Sequence, residues 1–174
     1  MLVPSPASLD FEIADEYAKF LQTRGKDYSR SHSGARWELA CSRLFGSTAY
    51  RDCVRHLQRA SSASIHRDYE YDFIAGRLRI DPKVTETQDE NVNLIVTTPR
   101  RHVVYVLGIS NTAFPLKTDK PYDMMFEFAG WSPGDPSLFR QLTHITGHPL
   151  GRLRTDLKPP QLLLFMVMHD VSIF

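Results

Sequence analysis

Asp170 is the residue whose setting most strongly suggests chemistry, because it lies in the most apolar stretch of the chain. Residues 161–174 read QLLLFMVMHDVSIF, and the two prolines before them favour the start of a helix. A carboxylate within an apolar helix has to be paired or protonated, and such groups often belong to functional sites. If the helix instead frays at its end, Asp170 is simply solvated. Both interpretations stay open.

A compact basic cluster stands between two apolar runs. Arg100, Arg101 and His102 follow Pro99 directly, and β-branched and aromatic residues flank them on both sides. Arginines grouped in this way can contact the phosphates of RNA. The alternative is a set of solvated turn charges.

Two other pairs have the spacing of reactive groups. Cys53 and His56 lie one helical turn apart, which is a weak indication of a thiol nucleophile. His144 and His148 have the i, i+4 spacing of a metal pair, but Gly147 interrupts that helix. We therefore predict no metal site and no cofactor.

The elements that would position these residues divide the chain at residue 36. Residues 11–21 carry a short helical pattern, and the polar run 29–34 is the best candidate for a linker. We therefore predict a leader over residues 1–36, of unknown role, and a main domain over residues 37–174.

The main domain alternates between strand and helix patterns. Residues 37–45 predict a strand, and Ser47 or Thr48 can cap the helix that follows. Residues 92–98 and 103–110 are β-branched and aromatic runs joined by a short polar segment, which predicts a hairpin.

The second half of this domain continues with strands and ends with helices. Residues 111–116 and 125–128 predict a third and a fourth strand, and residues 131–136 predict a turn. Residues 138–146 have the pattern of a short amphipathic helix that ends at a glycine. The order of elements indicates an α+β fold.

Composition limits the possible partners. The net charge of +1 gives no global field that would attract a polyanion. The N-terminus lacks the pattern of a secretory signal, which favours the cytoplasm and reduced cysteines. The apolar run at the C-terminus is shorter than the roughly 20 residues that span a bilayer, so no membrane is expected as a partner. Because the chain stops inside that run, we expect a longer parent protein.

The order of these elements resembles a known family. An N-terminal strand precedes a helix that reads STAYRDCVRHL, and the segments HVVYVLG, NTAF and FEFAG follow before the last helix. Together they resemble the N-terminal two thirds of plant ribosome-inactivating proteins, the ricin A-chain-like rRNA N-glycosidases, most closely the cereal type. The resemblance covers residues 37–174. It implies an antiparallel or mixed sheet followed by helices, with the C-terminal third missing.

The resemblance also implies an activity. Family members are hydrolases that remove one adenine from large-subunit ribosomal RNA, which inhibits translation and serves plant defence as a toxin. The flipped adenine is held between aromatic faces, and a carboxylate stabilises the positive charge that develops on the ribose. The implied partner is the ribosome with its large rRNA. The implied state is a monomer that needs neither a metal nor a cofactor.

The family's functional positions transfer to this chain one at a time. The first stacking tyrosine falls on Tyr105, beside the backbone of Val106. The second tyrosine is absent, so Phe139 or Trp131 takes its place. The carboxylate of the late helix falls on Asp170, which with Tyr105 forms the implied catalytic pair.

One departure from the family pattern weakens the expected activity. Ile173 stands where the family has an arginine, and the loss of such a charged group typically costs about 10²–10³ in rate. We therefore expect weak or lost catalysis. The alternatives are an inactive relative that binds ribosomes or RNA through Tyr105, Arg100 and Arg101, and an unrelated small α+β domain.

Overall fold

The computed structural model describes residues 1–4, 8–62, 70–85, 94–110, 125–143, 149–154 and 156–171. In these parts of the chain, three helices follow the first strand, and the other strands come before the last helix. The helices are α1 (Ser8–Gln22), α2 (Tyr28–Leu44), α3 (Ser47–Ser62) and α4 (Pro160–Met168), with a 3-10 turn at Pro136–Leu138. The strands are β1 (Leu2–Pro4), β2 (Phe73–Ala75), β3 (Leu78–Thr85), β4 (Leu94–Val96), β5 (Val103–Ser110), β6 (Met125–Pro133), β7 (Arg140–Thr143) and β8 (Pro149–Arg154).

The strands form two sheets. The larger sheet has the order β1-β6-β5-β3-β2, in which β3 and β5 are parallel and the other neighbours are antiparallel. The smaller sheet has the order β4-β8-β7 and is antiparallel. The fold is thus a mixed α+β fold, which confirms the predicted class.

The larger sheet lies between two apolar layers. Every residue of β5 is buried, as expected for a central strand that is covered on both faces. Val104 and Val106 join a core with side chains from α1, α2 and α3, whereas Val103, Tyr105 and Leu107 join a second core with β4. The helices therefore cover one face, and the smaller sheet packs against the other.

Buried polar contacts fix the three N-terminal helices to one another. The side chain of Asp10 in α1 is fully buried and accepts hydrogen bonds from Arg43 in α2 and from the Tyr50 hydroxyl in α3, at 2.8 and 2.6 Å. Asp27 caps α2 by accepting a hydrogen bond from the backbone N–H of Arg30. These helices form one layer.

This layer corrects two predictions for the first part of the chain. Residues 37–45 were predicted to form a strand, but residues 37–44 belong to α2. The predicted linker at 29–34 also lies within α2, so the boundary at residue 36 falls inside a continuous helix. The helix predicted within residues 11–21 and the helix after Ser47 are confirmed as α1 and α3.

The hairpin prediction was wrong in its pairing. Residues 94–96 and 103–110 are strands, but β4 pairs with β8 in the smaller sheet, whereas β5 pairs with β3 and β6. The strand predicted at 125–128 is confirmed as the first part of β6. That strand continues to Pro133, through the start of the predicted turn.

The late elements differ in part from their predictions. The predicted helix at 138–146 is wrong, because residues 140–143 form β7. The predicted strand at 111–116 lies outside the described residues. The last predicted helix is confirmed as α4, in which Leu163 is buried while Phe165 and Met168 are 55% and 79% exposed.

Gly108 allows α2 to pack closely against the central strand. A Cβ atom at this position would lie 2.5 Å from the indole ring of Trp37. We expect Gly108→Ala to destabilise the fold by about 1–3 kcal/mol, since overpacking a buried ring forces it off its rotamer. Thermal unfolding measures this as a lower Tm. The matched control is Gly34→Ala on α2, where a Cβ meets nothing within 4 Å, and an equal loss of stability there would contradict the packing argument.

Candidate functional site

Titratable side chains from helices and strands converge on one cavity of about 510 Å³. It lies between the three N-terminal helices, β3, β4 and the start of β5. Its polar lining consists of Glu38, His56, Asp72, Asp81, Lys83, Thr97, Thr98, Arg100 and the Tyr17 and Tyr105 side chains. We call Glu38, His56, Asp72, Asp81 and Lys83 the charged cluster.

The alternation of β3 places two members of the charged cluster side by side. Ile80 belongs to the core beneath the helices, so Asp81 and Lys83, at odd positions of the strand, project toward the opposite face. β2 pairs only with Leu78–Ile80, and no described strand lies beside β3 on that side from Asp81 onward. This open edge allows groups from both faces of the sheet to meet.

The other three members approach this edge from the helices and from the start of β2. Glu38 lies on α2 and His56 on α3, next to buried residues that hold both helices against the sheet. Asp72 directly precedes β2, and its backbone N–H donates to the carbonyl oxygen of Ile80 at 2.9 Å. The side chain of Asp72 is thereby fixed near β3.

Close contacts connect the charged cluster. His56 Nε2 lies 3.3 Å from Asp72 Oδ1, with side chains only 12% and 18% exposed. Lys83 Nζ lies 2.6 Å from Asp81 Oδ1. Glu38 Oε2 is buried and has no hydrogen-bond partner among the described residues. The cluster therefore contains a buried carboxylate oxygen that lacks a donor, which is costly unless something else binds it.

Burial perturbs the titration of these groups. Burial and the nearby Asp81 carboxylate raise the pKa of Glu38 above its ordinary range, although Lys83 acts in the opposite direction. Burial and the carboxylates of Glu38 and Asp81 likewise raise the pKa of Asp72. Burial, and for Asp72 also the neighbouring carboxylates, therefore favours the protonated forms of these two groups.

The two basic groups of the cluster are affected in different ways. Burial alone would lower the pKa of Lys83, but Asp81 and Asp72 hold it above its usual value, so Lys83 is protonated at neutral pH. Burial lowers the pKa of His56, which Asp52 and Asp81 partly oppose. The imidazole is therefore neutral near pH 7 and able to act as a ligand or a base.

The arrangement has the composition of a cation site. Glu38, His56 and Asp72 each offer a ligand atom, and these three atoms all lie within 4.8 Å of one another. The three carboxylates of the lining outnumber its two permanently cationic side chains, Lys83 and Arg100, so the ionised cavity has room for a further positive charge. Carboxylate and imidazole are common metal ligands, and the donor set fits.

The basic turn predicted from the sequence forms part of the same cavity. Arg100 lines its wall, and Arg101 is exposed beside it. The Tyr105 hydroxyl accepts a hydrogen bond from the backbone N–H of Arg100 at 3.1 Å and lies 3.4 Å from the carbonyl oxygen of Thr98. Tyr105 thus fixes the turn that carries Arg100, and the whole residue is 1% exposed.

The structure does not bring Asp170 to this cavity. Asp170 follows α4 with a positive φ of 51° and forms an ion pair with Arg77 at 2.9 Å, with its side chain 53% exposed. Arg77 precedes β3, whereas Tyr105 pairs with Asp81, about 13 Å further along that strand. Asp170 is thus a half-exposed carboxylate that is paired with Arg77, and it is not part of the cavity lining.

The other aromatic candidates are packing residues. Phe139 is 6% exposed and contacts Tyr105 edge to face, with ring centroids 6.1 Å apart. Trp131, the alternative for the second stacking position, is fully buried, and its indole N–H donates to the carbonyl oxygen of Pro159. Val106 lies in the core beneath the helices. Tyr105 and Phe139 thus pack against each other in the second core.

The charged cluster was not predicted from the sequence. A signal for two of its members is present, since Asp81 and Lys83 alternate on an apolar strand pattern. His56 was noticed only beside Cys53, whose thiol is fully buried, and burial raises the pKa of that thiol. No local pattern marks Glu38 or Asp72, because their proximity to Asp81 depends on the tertiary fold.

Comparisons with family models, with curated proteins and with solved structures find no match to this chain. Among the described residues, no helix is both long and apolar enough to cross a membrane.

Proposed function

We propose that the cavity is a hydrolytic site for phosphodiester bonds of nucleic acid, assisted by a divalent cation. The observation that carries this proposal is the charged cluster, in which partly buried carboxylates, an imidazole and a protonated lysine face one cavity. Even partial burial of so many charged groups is costly, and a cation with an anionic substrate would offset that cost.

Different groups of the charged cluster would bind the cation and stabilise the reacting phosphate. Glu38, His56 and Asp72 would hold the cation, which would lower the pKa of a bound water and so supply a hydroxide for attack on phosphorus, with the proton of that water passing to solvent. One P–O bond forms, the bond to the departing sugar oxygen breaks, and a proton from solvent neutralises that oxygen. Lys83, oriented by Asp81 at 2.6 Å, stabilises the negative charge that develops on the phosphate oxygens.

The walls of the cavity favour a polyanionic substrate. Arg100 lies in the wall, and the exposed Arg101 extends the positive charge beyond the cavity. Arginine side chains position phosphates along a nucleic-acid backbone without reading its sequence. The near-zero net charge of the chain means that this attraction is local rather than global.

A second candidate is the rRNA N-glycosidase activity implied by the family resemblance, with the ribosome as partner and the cytoplasm as location. The specific observation in its favour is that Tyr105, the implied stacking residue, lines the same cavity as Arg100. Against it, Tyr105 is buried and Asp170 pairs elsewhere, with Arg77. The ribosome-inactivating-protein-like architecture and the monomeric state stay proposals.

One experiment separates the two candidates. The purified chain is incubated with end-labelled RNA, with single-stranded DNA and with intact ribosomes, in Mn²⁺, Mg²⁺ or EDTA. A phosphodiesterase breaks the chains directly and needs the metal. An N-glycosidase leaves an abasic site that breaks only after aniline treatment, with or without EDTA. If intact nucleic acid remains in every lane, both proposals fail.

The basic turn should control binding rather than chemistry. We expect Arg100→Ala with Arg101→Ala to weaken nucleic-acid binding and to reduce the salt slope of the affinity by about 1–2, because each arginine that contacts a phosphate releases a counterion. Fluorescence anisotropy at several salt concentrations measures both quantities. The matched control removes the exposed Arg51 and Arg55 of α3, and an equal loss in that control would contradict a local phosphate track.

A further inference from the structure

His56 is the member of the charged cluster that a site for Mg²⁺ alone would not need. Mg²⁺ prefers oxygen ligands and retains several waters, so carboxylates are sufficient for it. An imidazole suits Mn²⁺, Fe²⁺, Co²⁺ or Zn²⁺ better. The cavity offers one imidazole with two carboxylates, from His56, Glu38 and Asp72.

We infer that His56 is a direct ligand and that the cavity therefore selects a divalent transition-metal ion, with Mn²⁺ as its simplest representative, over Mg²⁺. This inference deepens the proposed function and rests on it for the role of the ion. It adds the class of ion and the residue that determines the choice.

The geometry of the three ligands fits a single ion. Ligand atoms about 2.0–2.2 Å from one ion lie at most about 4.4 Å apart, so the observed limit of 4.8 Å requires shifts of only a few tenths of an ångström. His56 Nε2 and Asp72 Oδ1 are 3.3 Å apart, which corresponds to an angle of about 100° at an ion about 2.1 Å from each. That angle lies between the octahedral and tetrahedral values.

A second observation, independent of His56, also indicates a cation in this cavity. Glu38 Oε2 is buried and lacks a hydrogen-bond partner among the described residues, although Glu38 lines the cavity. A buried carboxylate oxygen without a donor is costly, and a metal ion would satisfy it. Lys83 does not fill this role in the structure, because its ammonium group lies against Asp81.

Metal binding in the absence of substrate tests the inference separately from cleavage. Metal-free protein is titrated with Mn²⁺ and with Mg²⁺ by calorimetry, for the wild type, His56→Gln and His102→Gln. We expect the wild type to bind Mn²⁺ at least about tenfold more tightly than Mg²⁺. His56→Gln should weaken Mn²⁺ by about 10–100-fold and change Mg²⁺ much less, as expected when an imidazole ligand is lost.

His102→Gln is the matched control, because its imidazole also contacts a carboxylate, that of Glu70 at 3.1 Å, but lies outside the cavity. It should leave both affinities unchanged. Equal affinities for Mn²⁺ and Mg²⁺ in the wild type would overturn the inference. If His56→Gln does not fold, electron spin echo spectra of Mn²⁺ bound to the wild type decide, since absence of a coupled imidazole nitrogen would also overturn it. Selective Mn²⁺ binding without cleavage of any nucleic acid would contradict the proposed function but would still support the ion site.

Discussion

Asp72→Asn is expected to lower phosphodiester cleavage by about 10²–10³, because it removes a charged ligand from the centre of the cavity. The fold should survive this change. Burial already favours the protonated carboxyl of Asp72, which an amide closely resembles in shape, and the backbone hydrogen bond to Ile80 does not depend on the side chain. Cleavage of labelled RNA and DNA at saturating Mn²⁺ measures the effect, with circular dichroism to confirm folding.

The matched control for this variant is Asp27→Asn. Asp27 caps α2, the helix that carries Glu38, and asparagine is an equally good cap. We expect cleavage by this control to stay within about twofold of the wild type. Undiminished cleavage by Asp72→Asn would place the activity outside the cavity or in a contaminating nuclease. Equal losses in both variants would indicate a general effect on the helical layer.

Much of the helical layer could be predicted from the sequence. The pattern of α3 is strongly amphipathic, with Cys53 and Leu57 on the buried side, and the structure confirms it. The prediction for the N-terminal half of α2, in contrast, was wrong. Serine, glycine and histidine between residues 29 and 34 suggest a linker, but tertiary packing buries His32 and Ser33 inside the helix. Local propensity is a weak guide once packing covers a segment.

Strand pairing was harder to predict than strand position. The runs at 94–96 and 103–110 are both strands, but their short connection suggested a hairpin. β5 is buried on both faces and pairs in parallel with β3, which lies more than twenty residues earlier in sequence. A parallel pair leaves no local turn signal, so the sequence gives no reason to prefer it over the hairpin.

For a related reason, the charged cluster could not have been predicted as a functional site. Its members come from α2, α3, the start of β2 and β3, and they meet because β2 is too short to cover the edge of β3. The residues that were predicted to be functional, such as Asp170, were chosen from their neighbours in the sequence. Asp170 stood in an apolar run, but α4 ends before it and leaves it paired with Arg77 in solvent.

The basic turn was predicted as functional from the sequence, and it also forms part of the cavity. Arg100 was predicted from the sequence as a phosphate contact, and the structure places it in the wall of the cavity that holds the charged cluster. The Tyr105 hydroxyl that fixes this turn belongs to the residue singled out for stacking. Tyr105 therefore acts as a positioning residue for Arg100 through its hydroxyl group, whereas its ring is buried.

Glu38→Gln should make the metal-free protein more stable at alkaline pH. Burial raises the pKa of Glu38 from an ordinary value of 4.5 to about 8, so the folded state holds this proton more tightly than the unfolded state. Stability is then fully present below about pH 4.5 and is lost as the pH rises toward 8. Glutamine cannot ionise and removes this loss. It also removes one of the charges that raise the pKa of Asp72.

Thermal unfolding in EDTA between pH 5 and pH 8 measures this effect. We expect the Tm of the wild type to fall across this range, and Glu38→Gln to melt roughly 5 °C higher than the wild type at pH 8, since each kcal/mol shifts the Tm by about 2–4 °C in a domain of this size. Glu16→Gln on the exposed side of α1 is the control and should behave as the wild type. Added Mn²⁺ should reverse the ranking, because the wild type binds the ion through Glu38 and gains stability by mass action. A wild-type Tm that does not change with pH, and that Mn²⁺ does not raise, would mean that Glu38 is solvated and that the cavity binds no cation.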